Sequence, residues 1–235
     1  MKYKLVSLKA VLNRVLFELE NPEIKECLDA DLFTFLNSHN YPWELIGENL
    51  KNFLIKKIHS RQGEKILSPV PKLCHLVNKE EIIIEEAVHI EAGAYICGPA
   101  YISKGSTVRH GAYIRGEVFV SENSVIGHAT ECKNSLFLPN SHAAHFNYVG
   151  NSILGFETNL GAGTKLANLK FNKGPIKFLF EEKKIDTQLK KLGAILGNRS
   201  QTGCNTVTNP GTILLNDAFV LGNQNASGIV SKINA

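Results

Sequence analysis

Glycine is nearly missing from the first third of this 235-residue chain: only Gly47 and Gly63, of 19 glycines, precede residue 80. Glycine placed so unevenly indicates two architectures joined end to end. The five cysteines (Cys27, Cys74, Cys97, Cys132 and Cys204) are odd in number, far apart and free of any CxxC pair. That spacing suggests neither a disulfide framework nor a cysteine zinc cage, and fits a reducing cytoplasm. Long apolar runs are missing too. The longest uncharged stretch, 134–156, contains Asn140, His142, His145, Asn147, Asn151 and a proline, which is incompatible with a bilayer span. Lys9 and Arg14 break the apolar start and no small-residue cleavage site follows, so no export signal is expected. With 43% apolar and 20% charged residues the chain reads as globular, and neither a membrane nor a nucleic-acid partner is expected.

The first 80 residues have helical texture. Leu5, Leu8, Val11, Leu12, Val15, Leu16 and Leu19 recur at three- and four-residue steps before Pro22 interrupts, and Trp43, Leu45, Ile46, Leu50, Phe53, Leu54 and Ile58 predict another helix after Pro42. Residues 61–79, with Pro69 and Pro71, read as an extended connector.

From Ile84 the period becomes six: Ile84, Ile90, Ile96, Ile102, Val108, Ile114, Val120, Ile126, Cys132, Leu138 and Ala144. Four residues after each of the first eight stand Val88, Ala94, Ala100, Ser106, Ala112, Val118, Ser124 and Thr130, small or β-branched as a tight corner requires. This is the hexapeptide repeat of a parallel β-helix, in which three hexads make a coil of about 18 residues. The register slips after Ala144, resumes at Leu154, Leu160 and Leu166, and returns at Leu196, Thr202, Thr208, Leu214 and Val220. The predicted organisation is therefore a helical segment over 1–80 and a β-helix over 81–235, interrupted by an inserted arm at about 167–195. An exposed first coil would be an open sheet edge, so the helical head is expected to cap it. The arm region is lysine-rich: from Lys165 to Lys191 eight lysines face Glu181, Glu182 and Asp186, a local +5 in a chain of net +4. It reads either as a projecting surface for an anionic ligand, such as a sugar phosphate or the phosphates of coenzyme A, or as a solvated loop.

The slip falls at SHAAHFNYVG, residues 141–150, followed by NLGAGT at 159–164. There His145 has the chemistry of a general base, Tyr148 and Asn159 that of substrate-positioning groups, and a backbone N–H near Ala162 that of an oxyanion donor. The same residues also suit ordinary coil corners. Arg115 and Lys133, 18 residues apart, should stack on adjacent coils and either clamp a phosphate or stand as two solvated cations.

The run RGEVFVSENSVIGHATECKNSLFLPNSHAAHFNYVGNSILGFETNLGAGTKLANLKF, with KLGAILG and NPGTIL, resembles the C-terminal domain of bifunctional N-acetylglucosamine-1-phosphate uridyltransferase/glucosamine-1-phosphate acetyltransferase. It is closer still to archaeal sugar-1-phosphate nucleotidylyltransferases with that domain and to short bacterial relatives named UDP-N-acetylglucosamine pyrophosphorylase, which NYPWELI in the helical segment also resembles. The likeness covers about 84–215. It implies a mainly β fold, a left-handed parallel β-helix assembled as a homotrimer, and acetyl-CoA as co-substrate without a bound metal. By the same resemblance His145 is the catalytic base and the Ala162 N–H faces the acyl oxygen. Arg115 and Lys133 hold the sugar nucleotide or phosphate, Tyr148 and Asn159 contact the sugar, Asn168 belongs to the acetyl-CoA site, and Lys173 and Lys177 are candidates for a substrate-binding lysine. Residues 1–80 carry nothing like the family's GxGTR-type loop, so uridylyl transfer is not expected of this chain and a separate nucleotidyltransferase would serve as partner. Leu169 replaces a common aromatic and the coils after Val220 are shortened, which leaves acceptor recognition better preserved than donor recognition.

Three functions follow as expectations: an acyl-CoA-dependent acyltransferase acting on a sugar amine, a non-catalytic trimeric module binding a sugar nucleotide or partner enzyme, and a zinc lyase like the γ-class carbonic anhydrases. The last rests on His110, His128 and His145, spaced one coil apart.

Overall fold

The computed structural model describes residue 9 and residues 12–180 and 183–231. Residues from 65 onward wind into a β-helix of three parallel sheets with eight, eight and seven strands. Sheet I includes Ile82–Ile84, sheet II His89–Ile90 and sheet III His75–Val77. The hexad residues fill the interior, where Ile84, Ile90, Ile96, Ile102, Val108 and Ile114 are buried in one cluster. The corner positions are small because each must fit beneath the next coil. Where they are Ser or Thr, the buried hydroxyl finds a carbonyl: Ser106 donates to Ser121 at 2.9 Å and Thr130 to Ala143 at 3.0 Å.

The six-residue period holds to Cys132 and then advances by five, so Phe137 and Ala143 point inward rather than Leu138 and Ala144. Leu138 is buried instead against the helical head, and Ala144 faces outward on sheet II. A second five-residue step separates Val149 from Leu154. Between these steps coils pair at 17 residues, as Val118 with Ser135 and Glu131 with Tyr148.

The predicted connector is partly a first coil. Ile66 bridges Ile84 in parallel, His75–Val77 pairs with Tyr95–Cys97, and Ile66, Val70, Cys74 and Leu76 pack on the interior core. These residues, not the helical head, close that end of the coil.

The head consists of α1 (Asn13–Leu16), α2 (Pro22–Glu26), α3 (Ala30–Asn37), a 3-10 turn at Pro42–Leu45 and α4 (Glu48–Ser60). Asn21 and Asp29 cap α2 and α3 by accepting from the Glu23 and Leu32 N–H groups. Of the first predicted helix, Leu5, Leu8 and Val11 lie outside the described residues, and the described part is helical only over α1. The head lies along the side of the β-helix, on sheet I. The outward residues of that sheet form one apolar column in register, Ile83, Tyr101, Phe119, Leu136, Ile153, Ile195 and Ile213, all buried. Phe119 stacks on Tyr101 with centroids 5.0 Å apart and meets Phe53 of α4 at 5.5 Å. An ionic latch ties the head near α1 to the later coils: Arg199 donates to both Glu18 carboxylate oxygens, at 2.7 and 2.8 Å, and to Asp217 at 2.8 Å.

The inserted arm does not project freely. Lys177–Phe180 and Lys183–Asp186 form an antiparallel hairpin whose alternation buries Ile176, Phe178 and Phe180 while exposing Lys177 and Leu179. Trp43 of the head stacks between Tyr41 at 4.6 Å and Phe178 at 4.9 Å. The insertion leaves the coil intact, since Leu154 pairs with Leu196, Leu160 with Thr202 and Leu166 with Thr208 across it. Among the described residues no helix is long and apolar enough to cross a membrane.

Candidate functional site

The register slip builds a strained corner between sheets II and III. His145 ends the strand His142–His145, Tyr148 begins Tyr148–Gly150, and Phe146 between them adopts φ +37°, a left-handed conformation unusual for a bulky residue. Two contacts hold it there. The Phe146 N–H donates to His128 O at 2.7 Å, and buried Asn147 accepts from the His145 N–H at 3.1 Å while donating to Gly161 O at 2.8 Å. His145 and Phe146 are thereby left exposed on the outer corner. The path beneath is narrow: a β-carbon at Gly127 would stand 1.8 Å from Ala144 O, so only glycine fits under this turn.

Ala162 lies one coil above His145. The neighbouring Gly163 N–H donates to His145 O at 3.0 Å, and Ala162 O accepts from the Asn205 N–H at 2.8 Å. The Ala162 N–H has no acceptor among the described residues. Asn159 is exposed on sheet II, three residues before Ala162 and in register with His142. His145 and Ala162 thus stand at one corner, with Asn159 three residues before it on sheet II and Tyr148 opening the sheet III strand beyond it.

Lys133 ends the strand Glu131–Lys133 of sheet III and Arg115 directly follows its partner strand Tyr113–Ile114, as the 18-residue spacing implies, with the Arg115 N–H donating to Cys132 O at 2.9 Å. The guanidinium is engaged within the chain: it pairs with Glu131 at 2.6 Å and lies 5.7 Å from the Tyr113 ring centre. Glu131, which the sequence reading did not single out, stands in register between Tyr113 and Tyr148. The Tyr148 phenol is pushed above its ordinary value, first by burial and then by the Glu131 charge, with Asn168 and Arg115 acting the other way. The phenol lies across Gly150. A β-carbon there would be 2.5 Å from the Tyr148 hydroxyl and 2.8 Å from Asn168 Nδ2.

Asn168 therefore adjoins Tyr148. Lys173 and Lys177 do not: Lys173 is exposed at the root of the arm, and Lys177, on the hairpin, pairs with Asp186 at 2.7 Å. Two other lysines of the basic run are tied to carbonyls, Lys165 to Gly163 at 2.6 Å and Lys170 to Pro175 at 2.7 Å. His110 and His128 stack in parallel 5.8 Å apart, each Nδ1–H donating to a carbonyl of the coil below, Ala92 O at 2.6 Å and His110 O at 3.0 Å. Among the described residues no three His, Cys, Asp or Glu side chains gather as metal ligands. The signals overlooked in the sequence were local. Asn147 replaces the Ser or Thr of other corners, and Glu131 lies two residues before Lys133.

Known proteins align with this coil. The chain is 39% identical over 133 residues to a bifunctional sugar-1-phosphate nucleotidylyltransferase/acetyltransferase of Sulfurisphaera tokodaii, covering 57% of this chain and 33% of that protein. It is 36% identical over 177 residues to the bifunctional protein GlmU of Methanocaldococcus jannaschii, covering 75% and 41%. To GlmU of Methanococcus maripaludis strain C7 it is 33% identical over 193 residues, covering 82% and 45%. The resemblance expected from HFNYVG and NLGAGT is thus borne out, although the chain spans less than half the length of these relatives. A solved hexapeptide transferase family protein of Anaplasma phagocytophilum aligns at 13% identity with a TM-score of 0.36, over 68% of this chain and 78% of that one, a likeness too weak to carry argument. The model of the GMPPB C-terminal domain matches residues 96–225, more than half of the sequence, and the chain belongs to that family.

Proposed function

We propose that this chain is an acyl-CoA-dependent acyltransferase, acetyl-CoA being the donor, that acylates the amino group of a sugar phosphate or nucleotide sugar in amino-sugar nucleotide metabolism. The observation that carries the reading is the strained corner, which leaves the His145 imidazole exposed one coil below an unengaged Ala162 N–H and three residues from Tyr148. The Sulfurisphaera tokodaii relative is an acetyltransferase as well as a nucleotidylyltransferase, which supports this reading.

The amine nitrogen attacks the thioester carbonyl and His145 takes the proton that the nitrogen loses. The Ala162 N–H donates to the oxyanion. As the C–S bond breaks, the imidazolium returns its proton to the departing CoA sulfur, leaving an amide and free CoA. Tyr148 and Asn159 orient the sugar. Arg115 and Lys133 hold its phosphate once the anion displaces Glu131 from Arg115, Lys173 or Lys177 supplies a further substrate-binding lysine, and Asn168 serves the acetyl-CoA side. This chemistry draws on no metal. The working unit is a cytoplasmic homotrimer supplied by a separate nucleotidyltransferase.

The test is release of free CoA from acetyl-CoA with glucosamine-1-phosphate or galactosamine-1-phosphate, comparing wild type with His145→Ala. The variant should lose roughly 10²–10⁴-fold in kcat, the usual worth of a general base. No turnover with either acceptor, together with no acetyl-CoA binding, would replace this reading with a non-catalytic module that binds a sugar nucleotide or partner enzyme.

A further inference from the structure

Corner residues in the left-handed region recur along the coil, and asparagine occupies several of them, including Asn123, Asn134, Asn140 and Asn151. Most need no explanation beyond backbone preference. Three asparagines do something more. Asn168 Nδ2 donates to Asn151 Oδ1 at 2.8 Å, and Asn151 Nδ2 donates to Asn134 Oδ1 at 3.1 Å. Asn134 Nδ2 donates to Glu117 at 2.9 Å, and Asn134 Oδ1 also accepts from the Gly47 N–H at 2.9 Å. Asn134 is 2% exposed, so the ladder is anchored in the seam between head and coil. At its upper end Asn168 Nδ2 lies beside the Tyr148 hydroxyl over Gly150.

The direction of these bonds matters. An amide nitrogen has two hydrogens. With one of those on Asn168 given to Asn151, the other remains for the Tyr148 oxygen that lies beside it over Gly150. We infer that Asn134 and Asn151 are positioning residues: with Asn168 they form a strut from the head at Gly47 to Tyr148, holding the Tyr148 hydroxyl in place over Gly150. Its consequence for turnover rests on the reading of Tyr148 as a sugar contact given above.

Asn151→Gly tests this without disturbing the corner, because glycine adopts its φ of +50° freely. Asn140→Gly makes the same backbone change at a corner outside the ladder. Two readouts are taken on the full chain: KM and kcat for amino-sugar phosphate and for acetyl-CoA, and the resonance of Tyr148 in protein labelled at tyrosine Cζ with carbon-13, assigned by Tyr148→Phe. Asn151→Gly should displace the Tyr148 resonance and raise the acceptor KM roughly fivefold to tenfold, the worth of one lost hydrogen bond, while kcat stays within about twofold. Asn140→Gly should resemble wild type. Should Asn151→Gly not fold, Asn151→Ser, too short to span the ladder, takes its place with the same expectation. An unmoved Tyr148 resonance with unchanged kinetics overturns the inference, as does an equal effect in Asn140→Gly. A moved resonance in a protein whose wild type turns over no acceptor upholds the strut and overturns the acyltransferase reading instead.

Discussion

Replacing Phe119 by alanine should separate the head from the coil. The ring is fully buried, stacked on Tyr101 on one side and against Phe53 of α4 on the other, and belongs to the apolar cluster of the head rather than to the coil interior. Truncating such a side chain costs about 3–5 kcal/mol in lost transfer energy and residual cavity, a figure that already includes the two aromatic contacts at about 0.5–1.5 kcal/mol each. About 4 kcal/mol is therefore expected. The interior column of the coil is a separate cluster and loses nothing directly. Trp43, the sole tryptophan, is buried in the head and reports that region alone, whereas far-ultraviolet dichroism is dominated by the coil. In urea, the fluorescence transition of Phe119→Ala should move to lower denaturant while the dichroism transition stays near that of wild type. A loss below about 1 kcal/mol, against the usual cost of a buried phenylalanine, would refute the packing argument. Two transitions that remain superimposed and shift together would refute the independence of the two clusters.

Two further outcomes follow from ionic and steric detail. Hydrogen bonds from Arg199 hold the Glu18 carboxyl below its ordinary value of 4.5, so the latch contributes fully above that pH and is lost as pH falls through the lowered value. Glu18→Gln should cost about 1 kcal/mol at neutral pH and flatten the acid limb of the stability curve, and parallel limbs in urea titrations would contradict the latch. Gly150→Ala places a β-carbon on the Tyr148 hydroxyl, so the acceptor KM should rise while thermal unfolding shifts little, and an unchanged KM would show that the phenol does not meet the acceptor.

Much of the coil was legible because the interior of a β-helix demands one apolar side chain per edge, and the hexads from Ile84 to Cys132 obey that demand. Leu138 and Ala144 misled because both are apolar or small and sit one residue beyond the true interior positions, Phe137 and Ala143. A single omitted residue shifts the period without leaving a polar mark. The seat of the head was also written in the chain: residues outward on sheets II and III include His89, Thr107, His142 and Glu131, whereas on sheet I they are apolar throughout the buried column. Likewise Ile176, Phe178 and Phe180 alternate with Lys177 and Leu179, a half-buried hairpin rather than a free arm. The 17-residue spacing of His145 and Ala162 placed them on one corner. The Arg115–Glu131 pair and the asparagine ladder depend on side-chain conformation, which spacing does not specify.

The hairpin enters the coil between two strands whose neighbours pair across the gap as though nothing had been added. Lengthening or deleting it would thus leave the rungs in register, and on that ground alone it should be the most freely varied part of the chain through descent. Its aromatic side forbids this freedom. A descendant that lost the hairpin would expose Trp43 and Leu192, and one that lost the head would expose Phe178, Phe180 and the apolar outward column of sheet I. Head and hairpin are therefore bound to be inherited or discarded together, two separate segments acting as one heritable unit.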